Sequence, residues 1–300
     1  MVHRCWFNRL EREVRWLSCA RRFTASPLRQ ADEGAYVLSA AEPGERTAVA
    51  WRVVLVLLAT GQVVSPIVVS VLGGGQFTTS DRVGEPPIVP AGYAFSIWGL
   101  VEALCLAYAI WALVTRAPGH ALRDRLARPL CLVFTGFTVW LIAAEVEPVW
   151  STVAVFVVMV IGLLKAMDIA VRHRAEIARW HTAPRVLLWS MLGVYTGWSS
   201  VAIWVNLTTA LIESGAPTDG PAGVAGQIAI LAGATATAVA LLWRIGGLVS
   251  YGLSVAWAIV AVVIATADAR QFVLSVIAAV ALLLVVVATV WFRLRAPGAA

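Results

Sequence analysis

Apolar residues come along this chain in eight runs, each closed by a charge, a proline or a glycine pair. The runs fall near 48–72, 93–114, 129–146, 149–167, 185–212, 224–243, 245–266 and 271–292. A helix needs about 20 apolar residues to cross the hydrocarbon core of a bilayer, so the pattern predicts an all-α integral membrane protein, a polytopic bundle of about eight transmembrane helices. The third run is the shortest, because Glu145 and Glu147 interrupt it ahead of Pro148. The sixth and seventh are separated only by Arg244-Ile245-Gly246-Gly247.

Composition agrees with the pattern. Hydrophobic residues make up 60% of the chain and charged residues 13%, with a mean hydropathy of +0.82, whereas a water-soluble domain carries roughly 25% charged residues. The net charge of +6 would suggest a nucleic-acid partner in a soluble protein, but the placement of the cations gives a better reason for it. With the N-terminus inside and eight spans following, 21 of the 23 basic residues fall in inside segments, leaving Arg82 and Arg270 outside. The outside loops hold seven acids: Asp81, Glu85, Glu145, Glu147, Glu213, Asp219 and Asp268. That bias is the positive-inside rule, and it places both termini in the cytoplasm of a multi-pass protein of the cell (inner or plasma) membrane, with the bilayer and not nucleic acid as partner. The four cysteines form neither a CxxC pair nor a Cys/His cluster, so neither a disulfide framework nor a metal site is indicated.

Residues 1–47 form a basic N-terminal segment with no secretory pattern. Trp6, Leu10, Val14 and Leu17 recur at helical spacing among arginines, which describes either a helix lying on an anionic membrane face or an ill-ordered tail. Residues 293–300 form a short tail at the other end.

Two stretches carry candidate chemistry. In Pro86–Glu102, PPIVPAGYAFSIWGLVE, three prolines keep the backbone out of a helix until about Ala94; from there Phe95, Trp98 and Glu102 lie on adjoining turns. Glu102 is the sole ionisable side chain well inside a predicted span. It serves either as a protonated bridge between helices or as a ligand or proton site. In the fifth span, VYTGWSSVAIWVN, Tyr195, Trp198, Ala202 and Asn206 share one face. Stacking area, room and an amide anchor suit a flat ligand, and ordinary packing with Gly193 and Gly197 as a GxxxG contact suits the same stripe. Trp51, Trp150, Trp243 and Trp291 sit at span ends as belt anchors. Trp98, Trp140, Trp198, Trp204 and Trp257 sit deeper, between helices or facing a cavity. No phosphate loop, GxSxG, HExxH, intramembrane histidine or paired carboxylate is present, so the reading is of a protein that is not an enzyme.

These residues resemble the TspO/MBR (translocator protein, tryptophan-rich sensory protein) family, in the manner of a longer, divergent bacterial member. That family has a Pro-rich loop and a Pro-to-Trp spacing of eight at its second helix, matched here by Pro90 and Trp98. Its fifth helix carries P-Y-x-x-W-x-x-F-A-x-x-L-N, matched by Tyr195, Trp198, Ala202 and Asn206. Val194 replaces its proline, Glu102 a tyrosine, and Phe137 an asparagine three residues before Trp140. The motifs cover a five-helix core over 48–212, leaving 213–292 as three additional helices.

The resemblance implies binding of a tetrapyrrole, sterol or similar flat molecule between helices 2 and 5, under the Gly73–Gly92 loop, in a sensory, regulatory or transport role. Pro90, Phe95, Trp98, Glu102, Tyr195, Trp198, Ala202 and Asn206 are the expected ligand contacts. No cofactor is required beyond such a ligand, and a homodimer stays open. The competing reading is a proton-coupled small-molecule transporter in which Glu102 titrates.

Overall fold

A computed structural model describes residues 43–72, 86–115, 119–145 and 150–296. The chain divides into two compact units, Met1–Thr47 and Ala48–Ala300, and the helical bundle makes up the second. The amphipathic pattern of Trp6 to Leu17, the first part of the loop after the first span, and the last four residues lie outside the described residues.

Among the described residues, eight helices are long and apolar enough to cross a membrane: α1 (Pro43–Val71), α2 (Ile97–Val114), α3 (His120–Glu145), α4 (Trp150–Arg172), α5 (Thr182–Glu213), α6 (Gly220–Ile245), α7 (Val249–Asp268) and α8 (Phe272–Arg295). A 3-10 turn, Gly92–Ser96, leads into α2, and a single turn, Arg174–Ile177, joins α4 to α5. No strand occurs among the described residues. Each membrane-length apolar run has become one helix.

The third boundary differs from expectation. α3 begins at His120 rather than near 129, taking Arg123, Asp124, Arg125 and Arg128 into the helix. The extra turns are amphipathic: Leu122, Arg123, Leu126 and Ala127 are buried, while Arg125 and Arg128 are exposed. Hydropathy averaging scores such turns as loop because it counts a buried arginine as polar. Pro129 lies inside the helix without ending it. Arg52 and Arg123, both at most 5% exposed, therefore join Glu102 as ionisable groups within helices.

The turn between α6 and α7 is as tight as the short Arg244–Gly247 spacer implies. Gly246 and Gly247 both have positive φ, 69° and 64°, and the Gly247 amide donates to Leu242 O at 2.9 Å. This αL exit needs glycine.

α5 sits at the centre. It packs on α2, α4, α6 and α7; α3 pairs with α4, and α8 with both α6 and α7. α1 is the least buried span, and its side chains tie it down. Arg52 Nε donates to Asp124 Oδ1 at 2.7 Å, and Gln62 Nε2 donates to Tyr195 OH at 3.0 Å. Pro66 leaves the Gln62 carbonyl without its helical donor, and the Ser65 hydroxyl bonds that oxygen at 3.4 Å. Trp51, Trp150, Trp243 and Trp291 are exposed, as are most of the large aliphatic side chains along the outside of α8. In a bilayer this surface meets lipid.

Candidate functional site

The segment before α2 is held by its own turn and by α7. The Val89 amide donates to Pro86 O at 2.9 Å, and the Ala91 amide to Ala261 O at 3.3 Å. Trp257 Nε1 donates to Ala94 O at 3.0 Å, and its ring meets Tyr93 edge-on at 5.4 Å. Prolines remove the amide donors this backbone would otherwise have to satisfy. Ile88, Val89 and Pro90 are buried, so the proline-rich half of the loop is part of the bundle.

From that anchor the chain enters the 3-10 turn and α2, which puts Phe95 and Trp98 against α5 and α3. Trp98 is the hub of an aromatic cluster. Its ring centroid lies 4.8 Å from Phe137, 5.8 Å from Trp140, 5.9 Å from Tyr195 and 6.1 Å from Trp198. Phe95 meets Trp198 edge-on at 5.6 Å, and Trp140 meets Phe156 edge-on at 5.3 Å. These separations fall in the range where aromatic quadrupoles attract.

The cluster borders a cavity between α2, α3 and α5, with Pro90, Phe95, Trp98, Trp140, Trp198 and Asn206 among its lining residues. The wall is completed by Val201, Ala202 and Val205. The cavity's volume is about 20 Å3. A site for a drug-sized ligand encloses roughly 300–1,000 Å3, so a flat ring enters only if the aromatic walls part.

Two polar groups mark this cavity. Asn206 Oδ1 accepts from Trp140 Nε1 at 3.1 Å while its Nδ2 donates to Ala202 O at 2.8 Å, so the amide is held from both sides. Trp198 Nε1 is buried without an acceptor among the described residues. Replacing Asn206 with leucine would remove the oxygen that accepts from Trp140 Nε1, at a cost of about 1–3 kcal/mol. A lowered thermal midpoint in detergent, set against Asn206→Gln, is the measurement.

Of the eight residues the sequence singles out, six line the cavity: Pro90, Phe95, Trp98, Trp198, Ala202 and Asn206. Tyr195 is fully buried, and its ring packs on Trp98 while its hydroxyl accepts from Gln62. Glu102 is half-buried one turn below Trp98 and off the cavity wall. Trp140, expected between helices or facing a cavity, does both. Gln62 escapes the sequence reading; its signal is an amide in the middle of an apolar run, which a search for ionisable groups passes over.

At the opposite, basic end of the bundle, cations close helix ends. Arg123 Nη1 donates to Ala112 O at 2.9 Å and Thr115 O at 2.7 Å, with its guanidinium 5.2 Å from the Trp111 ring centre. Arg174 Nη2 donates to Ile245 O at 2.6 Å and lies 5.5 Å from the Trp189 ring centre. Burial, and then the nearby charge of Arg293, lower the Arg174 pKa from its ordinary value; an arginine still keeps its proton at neutral pH. Asp168 bridges Arg172 at 2.7 Å and Arg244 at 2.8 Å.

A family model described as a TSPO-like protein matches residues 49–291, running through all eight spans. No curated protein and no solved structure matches the chain.

Proposed function

Because this chain belongs to the TSPO-like protein family, we propose that it is a non-enzymatic binding protein for a flat hydrophobic ligand, a tetrapyrrole or sterol-like ring system. The ligand is held between α2, α3 and α5 in a sensory or transport role. The observation that carries this reading is the aromatic cavity with one donor unused: Trp198 lines it, and the indole N–H is buried without an acceptor among the described residues. A ligand bearing a carbonyl or carboxylate oxygen would satisfy that donor, stack on Trp98 and Phe95, and find the Asn206 amide already fixed in place. We also infer from the charge bias along the chain that both termini lie on the cytoplasmic side of the cell membrane.

The closed state of the cavity gives binding a definite form. Trp98 and Trp198 have to move apart to admit a ring system, so binding selects a more open arrangement and is slower than diffusion. Titration of the purified protein with a porphyrin, followed by the porphyrin's own absorbance band, tests the site. Trp98→Phe/Trp198→Phe should weaken affinity about fivefold or more, since the smaller rings lose stacking area and position 198 loses its indole N–H, together about 1 kcal/mol or more. Unchanged affinity in the double variant would sink the assignment.

A further inference from the structure

The three helices beyond the fifth do more than cover it. α6, α7 and α8 close against α5 around a second cavity, distinct from the aromatic one, and the Ile88–Val89 turn lines it as well. Trp204 and Val205 of α5, Leu231 and Ala234 of α6, Ile259 of α7 and Ala281 of α8 are among its walls. Its volume is about 30 Å3. At about two or three times the room one water needs, the space is a small slot, far short of a ring system.

The lining is largely apolar. Its two hydroxyls are both engaged by their own helices, Thr208 with Trp204 O at 2.8 Å and Thr235 with Leu231 O at 2.7 Å. Among the described residues, no charged side chain lines it. An apolar space of this kind stays dry rather than holding water. Gly233 keeps one wall close, because its α-carbon faces the Trp204 ring with no room for a Cβ. A slot this small, uncharged and lined largely by apolar side chains has no place for a headgroup or a broad ring. It accommodates methylenes.

We propose that this slot is a second binding site, which takes part of a single fatty-acyl chain while the headgroup of that molecule remains outside. Lipid surrounds the bundle, so the ligand is at hand. The slot shares Val201 and Val205 with the aromatic cavity, and the Pro86–Pro90 segment walls both, through Ile88 and Val89 on one side and Pro90 on the other. A chain in the slot therefore props the wall of the first cavity. The acyl site itself stands whether or not the first cavity binds a ring.

The test uses the full-length protein in detergent with a fatty acid carrying a photoactivatable diazirine on its chain, and in parallel a phospholipid with the same chain. After irradiation, labelled peptides are mapped by mass spectrometry. Saturable labelling within α5 to α8 at the slot, competed by unlabelled fatty acid, is expected from at least one probe; which probe labels identifies the source as free acid or bilayer lipid. Ala234→Leu and, from the facing wall, Ala281→Leu should each cut slot labelling at least fivefold while the thermal midpoint holds or rises, because leucine fills empty space. If one variant fails to fold, the other decides. Labelling confined to the outer faces of the helices, or slot labelling unchanged in a folded filling variant, overturns the proposal.

Discussion

Leucine at position 197 is expected to force α7 off α5 and to destabilise the protein by about 3 kcal/mol or more. A Cβ at Gly197 would lie 2.7 Å from the Tyr251 carbonyl oxygen and 2.8 Å from Ser254 Cβ, and one at Gly193 would meet Ser250 and the Tyr251 amide. The obstacle in each case includes backbone, which cannot rotate away as a side chain can. The close approach also supports hydrogen bonds that a wider separation would break: Ser250 to Trp189 O at 2.8 Å, Ser254 to Val194 O at 2.9 Å, and Ser200 with Tyr251 at 2.9 Å. In lipid, where apolar side chains gain little by leaving the solvent, such small-residue contacts and interhelical hydrogen bonds supply much of helix association. A thermal midpoint lowered by about 6–12 °C in detergent is the expected reading. Gly226→Ala is the control, since nothing lies within 4 Å of a Cβ there. It should leave the midpoint unchanged or raise it, by helix propensity alone. A Gly197→Leu protein as stable as the wild type would mean that α7 is not seated as described.

That contact bears on what the sequence can reveal. GxxxG in α5 is visible as a motif, but its partner is not, because Ser250 and Ser254 lie more than 50 positions away and read individually as ordinary polar residues in an apolar run. Val194, where the family carries a proline, is similar: its carbonyl accepts the Ser254 hydroxyl, a tie between α5 and α7 that no local pattern foretells. Helix existence is legible because one-dimensional hydropathy is all that spanning requires. The aromatic cavity is partly legible: the α5 stripe of Trp198, Ala202 and Asn206 follows from helical periodicity, and Pro90, Phe95 and Trp98 from the proline-stiffened entry to α2. Trp140 as the partner of Asn206 is not, since their hydrogen bond spans 66 positions. Glu102 stands out as a lone carboxylate, yet it sits one turn below Trp98 and does not line the cavity. The second cavity is invisible for a plainer reason. It is made largely of valine, isoleucine, leucine and alanine, which look the same in a sequence whether they pack tightly or leave a gap.

Arg123→Met is expected to cost about 3 kcal/mol, and Arg123→Lys nearly as much. The last carbonyls of α2 have no intrahelical donor, and Arg123 supplies one amino group to both Ala112 O and Thr115 O while its guanidinium lies 5.2 Å from the Trp111 ring centre. Hydrogen bonds from a charged donor contribute about 1.5–3 kcal/mol each, and methionine preserves the bulk while losing both. Lysine keeps the charge, but its point-like ammonium on a flexible stem cannot sit near the Trp111 ring and reach the two carbonyls in one pose. The pair of variants therefore separates two accounts of why a cation is buried here. If charge opposite the negative end of the α2 dipole were what mattered, Arg123→Lys would restore most of the wild-type midpoint; if the guanidinium geometry matters, it would restore little. The neighbouring Arg52–Asp124 pair stays intact in both variants, at 2.7 Å, and keeps α1 attached, so the loss reads on α2 alone. Arg174 uses the same device on α6, donating to Ile245 O over the Trp189 ring. A parallel Arg174→Lys should lose less stability than Arg123→Lys, because only one carbonyl is at stake there. Thermal midpoints of these single variants in one detergent give that ordering, and an Arg123→Lys protein melting with the wild type would reject the guanidinium account.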